Sequence, residues 1–314
     1  MPLPRPLTPS GRAAVVAPAS PALDPADAEA GLAALRARGL AVEVVETVPT
    51  GYLAGTDADR ADALNRALGR DDLDAVVCLR GGYGLLRILD RVDYAAARAR
   101  PKLVVGYSDV TALHLALWKE AGLPGLSGPM VASDWGPGLD AETEADFWRV
   151  AGGASGYAVR GPGGETLGTL REGEVEGVLL GGNLALTCAL LGTPYLPDLT
   201  GAVLFVEDVG EAPYRIDGLL ARLRLAGVLE RLGGLVFGMF TGAEVAPGRP
   251  TFSVDEVLAH YARFVDGPVA TGLVYGHVRR KSTLPVGVRA RLTASASGAE
   301  LRVLSPVAAL AEGP

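Results

Sequence analysis

Four short segments of this chain place reactive side chains where an apolar run ends. In KLVVGYSDVTALHLALWKEAG, an apolar strand pattern runs into Gly106-Tyr107-Ser108-Asp109 and a helical pattern starts at once. A hydroxyl at such a junction sits at the carboxyl end of a strand, beside the free N–H groups and positive potential of a helix start. Several hydrolases present a nucleophile in this way. The segment is not the full G-x-S-x-G, because Val110 takes the second glycine position. Ser108 and Asp109 are also favoured helix N-caps, so nucleophile and cap are both open on this segment alone.

The other three segments have the same character. Arg80-Gly81-Gly82-Tyr83-Gly84 directly follows DAVVCL. Its glycines allow close backbone approach or positive φ, and its N–H groups could form half of an oxyanion hole or simply make a tight connection. AVLFVEDVGE ends a hydrophobic strand in carboxylates. A charge at the end of a buried strand needs a partner or a task. Glu207, nearest the strand, is the candidate for an internal role, while Asp208 and Glu211 read as a solvated loop edge. His277 follows the apolar run TGLVYG, at the kind of strand-to-loop junction where functional groups collect. His114 and His260 sit on helical stretches and read as ordinary core or surface residues.

Positioning these groups requires a particular layout. Over the first 130 residues, β-rich runs at 13–18, 41–46, 74–80 and 102–108 alternate with helical stretches at 24–39, 57–70 and 84–99. Mostly continuous apolar strands separated by helices imply a parallel sheet covered on both faces, an open doubly wound α/β domain that binds ligands at the carboxyl ends of its strands. Residues 131–170 are rich in Gly, Asp and Pro and read as a connector with one helix near ETEADFWRVA. From 171 onward strands and helices alternate again, ending in LPVGVRARLTASASGAELRVLS, where SASG separates two alternating strands. The predicted organisation is an N-terminal α/β domain over 1–135, a connecting region over 136–170 and a C-terminal domain over 171–314.

Composition narrows the function classes. The 314 residues carry 29 basic and 36 acidic side chains, a net charge of -7, which argues against a general nucleic-acid binder. No histidine has metal-ligand spacing. Neither G-x-G-x-x-G nor a P-loop is present: the first strand is followed by Pro18-Ala19-Ser20, and no Gly-Lys-Ser/Thr follows the glycine-rich loop. Cys78 and Cys188 lie in apolar runs and read as buried small hydrophobes. MPLPRPLTPSGR lacks the apolar core of a signal peptide, and no stretch approaches the roughly 20 apolar residues of a spanning helix. The expectation is a soluble cytoplasmic protein with no membrane partner.

Taken together, AAVVAPAS, RGGYG, GYSDVTAL, SGPM, GGNLALTCALLGTPY, LFVEDVGEAPYRIDGLL and GHVRRK, in this order and spacing, resemble the LD-carboxypeptidase family of serine peptidases, which also contains the microcin-immunity peptidases. The resemblance covers nearly the whole chain. It implies an α/β fold: an N-terminal doubly wound parallel-sheet domain plus a C-terminal α/β domain with a rolled β-sheet, assembled as a homodimer. It makes Ser108 the nucleophile, His277 the base and Glu207 the acid, with backbone N–H groups of Gly82 and Asp109 as the oxyanion hole. Arg80, Tyr83, Asn183 and Arg279 become candidate substrate contacts, with Arg80 and Arg279 the candidate cations for a terminal carboxylate. No cofactor or metal is implied.

The same resemblance implies a reaction, release of the terminal D-alanine from murein tetrapeptide at an L,D bond, in cytoplasmic peptidoglycan recycling. The LFVEDVGEAPYRID segment looks like the murein-tetrapeptide branch. An immunity-type peptidase acting on aminoacyl-nucleotide peptide mimics is one alternative, and a non-catalytic α/β ligand-binding protein is another. Because Ser108 lies in the first domain and the other two in the second, the site is expected at the interface between them.

Overall fold

The computed structural model describes residues 3–159, 164, 166–243 and 250–309; residues 160–163 and 165 of the RGPGGETLG stretch of the connector lie outside the described residues. Two sheets organise the chain. The first contains β1 (Arg12–Val16), β2 (Ala41–Val44), β3 (Ala75–Cys78), β4 (Leu103–Val105), β5 (Gly125–Ser127) and β12 (Leu284–Val286), in the order β12-β5-β4-β3-β1-β2. β1 to β5 are parallel, and β12 returns from late in the chain to pair antiparallel with β5. The order 2-1-3-4-5 is that of a doubly wound sheet. β3, β4 and β5 are buried throughout, as their unbroken apolar runs require, while β2, at the edge, is mostly exposed.

The helices of this half start where their caps dictate. Asp24 caps α1 (Pro25–Ala37), and Thr56 forms a capping box with Asp59 at α2 (Asp57–Leu68). The single helical stretch expected over 84–99 is broken. Two 3-10 turns, Leu85–Arg87 and Leu89–Arg91, precede α3 (Tyr94–Ala99). The cause is Asn65 on α2. Its Nδ2 donates to Arg91 O and its Oδ1 accepts Asp93 N, both at 2.8 Å, after which Asp93 restarts the helix by capping Ala96 N. α4 (Val110–Ala121) is apolar nearly all round and buried over most of its length, because it lies between the first sheet and the second half of the molecule.

The second sheet contains β6 (Tyr157–Val159), β7 (Gly168–Arg171), β8 (Gly173–Asn183), β9 (Val203–Val209), β10 (Gly234–Thr241), β11 (Val269–Thr271), β13 (Val288–Ser295) and β14 (Gly298–Val303), in the order β6-β14-β13-β8-β9-β10-β11-β7. β8 to β11 are parallel and the flanking strands antiparallel. The sheet rolls until Leu167, beside β7 at one edge, forms a bridge with Ala299 of β14 near the other. The predicted connecting region thus contributes α5 (Ala141–Ala151), β6 and most of β7. α6 (Leu184–Ala189), α7 (Pro213–Leu225) and α8 (Val254–Ala262) complete this half.

The hydrophobic core runs through both sheets. At the junction Tyr275 packs edge-on against Phe205, with centroids 5.0 Å apart, and its hydroxyl lies 2.7 Å from Ser127 Oγ on β5. Burying an aromatic of this kind stabilises by about 1.5–3 kcal/mol. The hydroxyl pair satisfies the polar atoms carried inside with it. Cys78 and Cys188 are free and buried, and burial pushes both thiols up to about 12. No helix among the described residues is long and apolar enough to cross a membrane.

Candidate active site

β4 delivers the chain to Gly106 and Tyr107, and Ser108 then takes φ 63°, the one positive φ at a non-glycine position among the described residues. That conformation costs a side chain of this kind about 1 kcal/mol or more, and it turns the serine out at the head of α4 as a nucleophile elbow does. The capping alternative is not what forms. Asp109 is the N-cap residue of α4 but makes no side-chain cap bond. Its Oδ2 instead accepts Leu85 N at 2.9 Å, tying the turn to the glycine-rich loop. Burial raises the Asp109 carboxyl to about 6, against the opposing pull of that N–H.

The glycine-rich loop passes directly beside the serine. A Cβ at Gly81 would stand 2.9 Å from Ser108 Cβ and 3.1 Å from its Oγ. Gly82 has φ 102°, and a Cβ there would meet Ser20 Oγ at 2.3 Å. Both positions therefore require glycine: the first for space, the second for conformation as well.

Glu207 lies near the end of β9 and is 0% exposed. Its Oε2 lies 2.8 Å from His277 Nδ1, and its Oε1 accepts from Asn183 Nδ2 at 3.3 Å. A carboxylate only accepts, so the neutral ring carries its proton on Nδ1 and leaves Nε2 as the basic nitrogen. Asn183 closes β8 and caps α6 through Oδ1 to Leu186 N at 3.1 Å, and its Nδ2 also donates to Asp208 Oδ1 at 2.9 Å. Asp208 is not the solvated edge expected from the sequence: it is 4% exposed and accepts Ala185 N and Val209 N as well. Burial raises its pKa above the ordinary value, although it still borders the cleft. Glu211 is half-buried and paired with Arg215.

Three residues that sequence reasoning passed over support the histidine. The Tyr107 ring meets the His277 ring edge-on, with centroids 5.1 Å apart. Lys281 Nζ donates to Tyr107 Oη at 2.8 Å and lies 2.5 Å from Asp134 Oδ1, in a buried pair. Asp134 Oδ2 accepts Met130 N at 2.9 Å. Tyr107 stood in view beside Ser108. Lys281 sits in a basic run, VRRK, whose partner lies 147 positions away, and nothing local could have signalled the pair.

Ser108 and His277 line one cleft of about 530 Å³, together with Arg80, Gly82, Tyr83 and Asn183. No hydrogen bond joins Ser108 to the imidazole, a looseness common before substrate closes a site. Arg80 is half-buried and donates to Pro21 O at 3.3 Å, and Tyr83 is 69% exposed at the rim. Arg279 is exposed and is not part of the cleft lining. Asp109 and Glu207 stand behind the cleft wall. The arrangement brings a strained hydroxyl, an imidazole braced by a carboxylate and the glycine-rich loop to one concave surface, a set suited to acyl transfer.

Comparison with known proteins agrees with this chemistry. The LD-carboxypeptidase N-terminal domain family matches residues 13–128, and the LD-carboxypeptidase C-terminal domain family matches residues 176–292. The murein tetrapeptide carboxypeptidase of Pseudomonas aeruginosa is 34% identical over 297 residues, covering 90% of this chain and 93% of that protein. The crystal structure of muramoyltetrapeptide carboxypeptidase from Oxalobacter formigenes superimposes with a TM-score of 0.86 at 33% identity, over 94% of this chain and 99% of that one. The microcin C7 self-immunity protein MccF of Escherichia coli is 28% identical over 269 residues, 76% of each chain. Matched in both halves by one family, this chain belongs to the LD-carboxypeptidases and is a peptide-bond hydrolase of the serine type.

Proposed function

We propose that the chain releases the terminal D-alanine of murein tetrapeptide through Ser108, His277 and Glu207. The observation that carries the reading is the Glu207–His277 bond of 2.8 Å at a cleft that Ser108, held at φ 63°, also lines. His277 Nε2 takes the hydroxyl proton as Ser108 attacks the L-centre carbonyl, and Glu207 stabilises the imidazolium. The N–H groups of Gly82 and Asp109 receive the oxyanion, a contribution of about 3–4 kcal/mol for one donor in comparable hydrolases. His277 then protonates the departing D-alanine amine, and water releases the tripeptide from Ser108. Arg80, in the cleft wall, is the cation for the D-alanine carboxylate, and Tyr83 and Asn183 line the path of the stem peptide. Arg279 is a weaker candidate for the same carboxylate. The setting we infer is cytoplasmic peptidoglycan recycling by a homodimer, the latter open to light scattering.

The relatives named as murein carboxypeptidases span nine-tenths or more of this chain, which supports the cell-wall substrate. The 28% identity to the microcin C7 self-immunity protein supports a second reading, hydrolysis of an aminoacyl-nucleotide mimic. Mass analysis of murein tetrapeptide and an aminoacyl sulfamoyl nucleotide, each incubated with wild type and with Ser108→Ala, separates them. Loss of one alanine from the tetrapeptide with wild type alone is expected. Equal product from both proteins removes Ser108 from its role, and turnover of the nucleotide alone transfers the assignment to the second reading.

A further inference from the structure

The loop that carries Gly82 is fastened from behind by two residues that do not line the cleft. Ser20, in the loop after β1, is 2% exposed. Its Oγ accepts Tyr83 N at 3.1 Å and its own N–H donates to Gly81 O at 3.2 Å, so it brackets Gly82 on both sides. Arg60, on α2, is fully buried. Its Nη2 pairs with Asp57 Oδ1 at 2.6 Å, while Nη1 donates to Gly84 O at 3.1 Å and also to Pro18 O. One guanidinium therefore joins the Ser20 loop to the far end of the glycine-rich loop.

Stability alone gives a weak account of this arrangement. A buried guanidinium is costly to desolvate, and apolar residues of similar volume often fill such a place at no loss. Arg60 also leaves its Nε without a partner. What the two side chains secure is direction. The Ser20 hydroxyl holds the peptide between Gly82 and Tyr83, the Ser20 backbone N–H and the packing of Gly81 against Ser108 hold the peptide between Gly81 and Gly82, and the loop end is anchored by Arg60. An N–H aimed at a developing oxyanion is effective only when it is oriented in advance.

The geometry points to Ser20 and Arg60 as positioning residues that aim the Gly82 N–H at the oxyanion. This rests on Gly82 being an oxyanion donor to a Ser108 adduct. The test uses the full chain with Ser20→Ala, Arg60→Met and Arg60→Lys, each titrated with a fluorophosphonate so that rates are expressed per active serine. Turnover of murein tetrapeptide is measured alongside inhibition by a peptide boronate whose boron replaces the scissile carbonyl carbon. Ser20→Ala lowers kcat by about 10–100-fold with KM within about twofold, and boronate affinity falls by the same factor. Arg60→Lys, which keeps a donor, recovers part of what Arg60→Met loses. If kcat per active serine and boronate affinity in Ser20→Ala both stay within about twofold of wild type, the positioning role is wrong. Retained turnover in Ser108→Ala is a separate result, and it overturns the site assignment itself.

Discussion

Thr111 Oγ1 accepts the backbone N–H of Asn183 at 2.9 Å, joining the helix that begins after Ser108 to the strand end that supports Glu207. Thr111 is the second residue of α4 and is buried, and Asn183 hydrogen-bonds Glu207 directly. This contact helps set how far the hydroxyl stands from the imidazole. Thr111→Val keeps the shape but strands a buried N–H, at a cost of about 1–3 kcal/mol. Urea denaturation should show that loss, and kcat should fall in Thr111→Val while Thr111→Ser stays near wild type. Equal kcat in the two variants would show that this contact does not govern the site.

Glu207→Gln conserves volume and can still meet the ring, but its amide no longer requires the proton on Nδ1. In comparable triads such a change lowers kcat by about 10⁴ with the geometry intact. The same order of loss is expected here, with KM changed only a few-fold. Steady-state kinetics on the purified variant checks this, and a loss under tenfold would leave the carboxylate with a packing role.

The Lys281–Asp134 pair is buried on both sides, with side-chain exposures of 4% and 6%. Lys281→Met leaves Asp134 uncompensated and removes the donor to Tyr107, so about 3–5 kcal/mol of stability should disappear. The double variant Lys281→Met/Asp134→Asn should recover a measurable part of that, since the unpaired charge is gone. Thermal or urea unfolding of the four proteins in the cycle gives the coupling. Additive losses would mean the pair contributes no mutual stabilisation.

Two buried groups on one segment give opposite pH dependences. His114 Nε2 donates to Val104 O at 2.9 Å, and burial holds its pKa down to about 4. An unfolded histidine titrates near 6.5. As pH falls from about 6.5 to about 4, the unfolded chain takes the proton first and about 3 kcal/mol of His114's contribution is lost. Asp109 is held up to about 6. Its neutral form favours the folded state below about 3.9, and that contribution, again about 3 kcal/mol, is lost as pH rises through about 6. The two offset each other in wild type. On going from pH 7 to 4.5, His114→Gln should therefore lose less stability than wild type and Asp109→Asn should lose more. Urea midpoints at the two pH values are the measurement, and shifts in the same direction for both variants would refute the pairing.

Local pattern carried the reading of this chain a long way, and its failures share a cause. The runs leading to Ser108 and Glu207 are apolar because β4 and β9 are buried, and polar residues at such strand ends face the sheet edge where ligands bind. The run before His277 is buried as well, but β11 ends at Thr271, so His277 follows a buried extended segment and not the strand end expected from the sequence. Asp208 was misjudged because the α6 backbone that covers it begins 24 residues earlier in the chain, and the helix expected over 84–99 breaks because Asn65, on another helix, claims its backbone. Ser20 looked like ordinary loop material after β1. Its task is visible only beside Gly82, 62 positions on.

Periodicity and turn chemistry, written along the chain, were enough to predict the mixed α/β fold, and motif order nominated Ser108, Glu207 and His277 as the candidate reactive side chains. Only the folded structure decided that Asp208 is buried against Asn183, which buried cation stands behind Tyr107, and what holds the glycine-rich loop in place. Burial and hydrogen-bond direction depend on neighbours brought together by packing, and no local pattern of residues encodes that proximity.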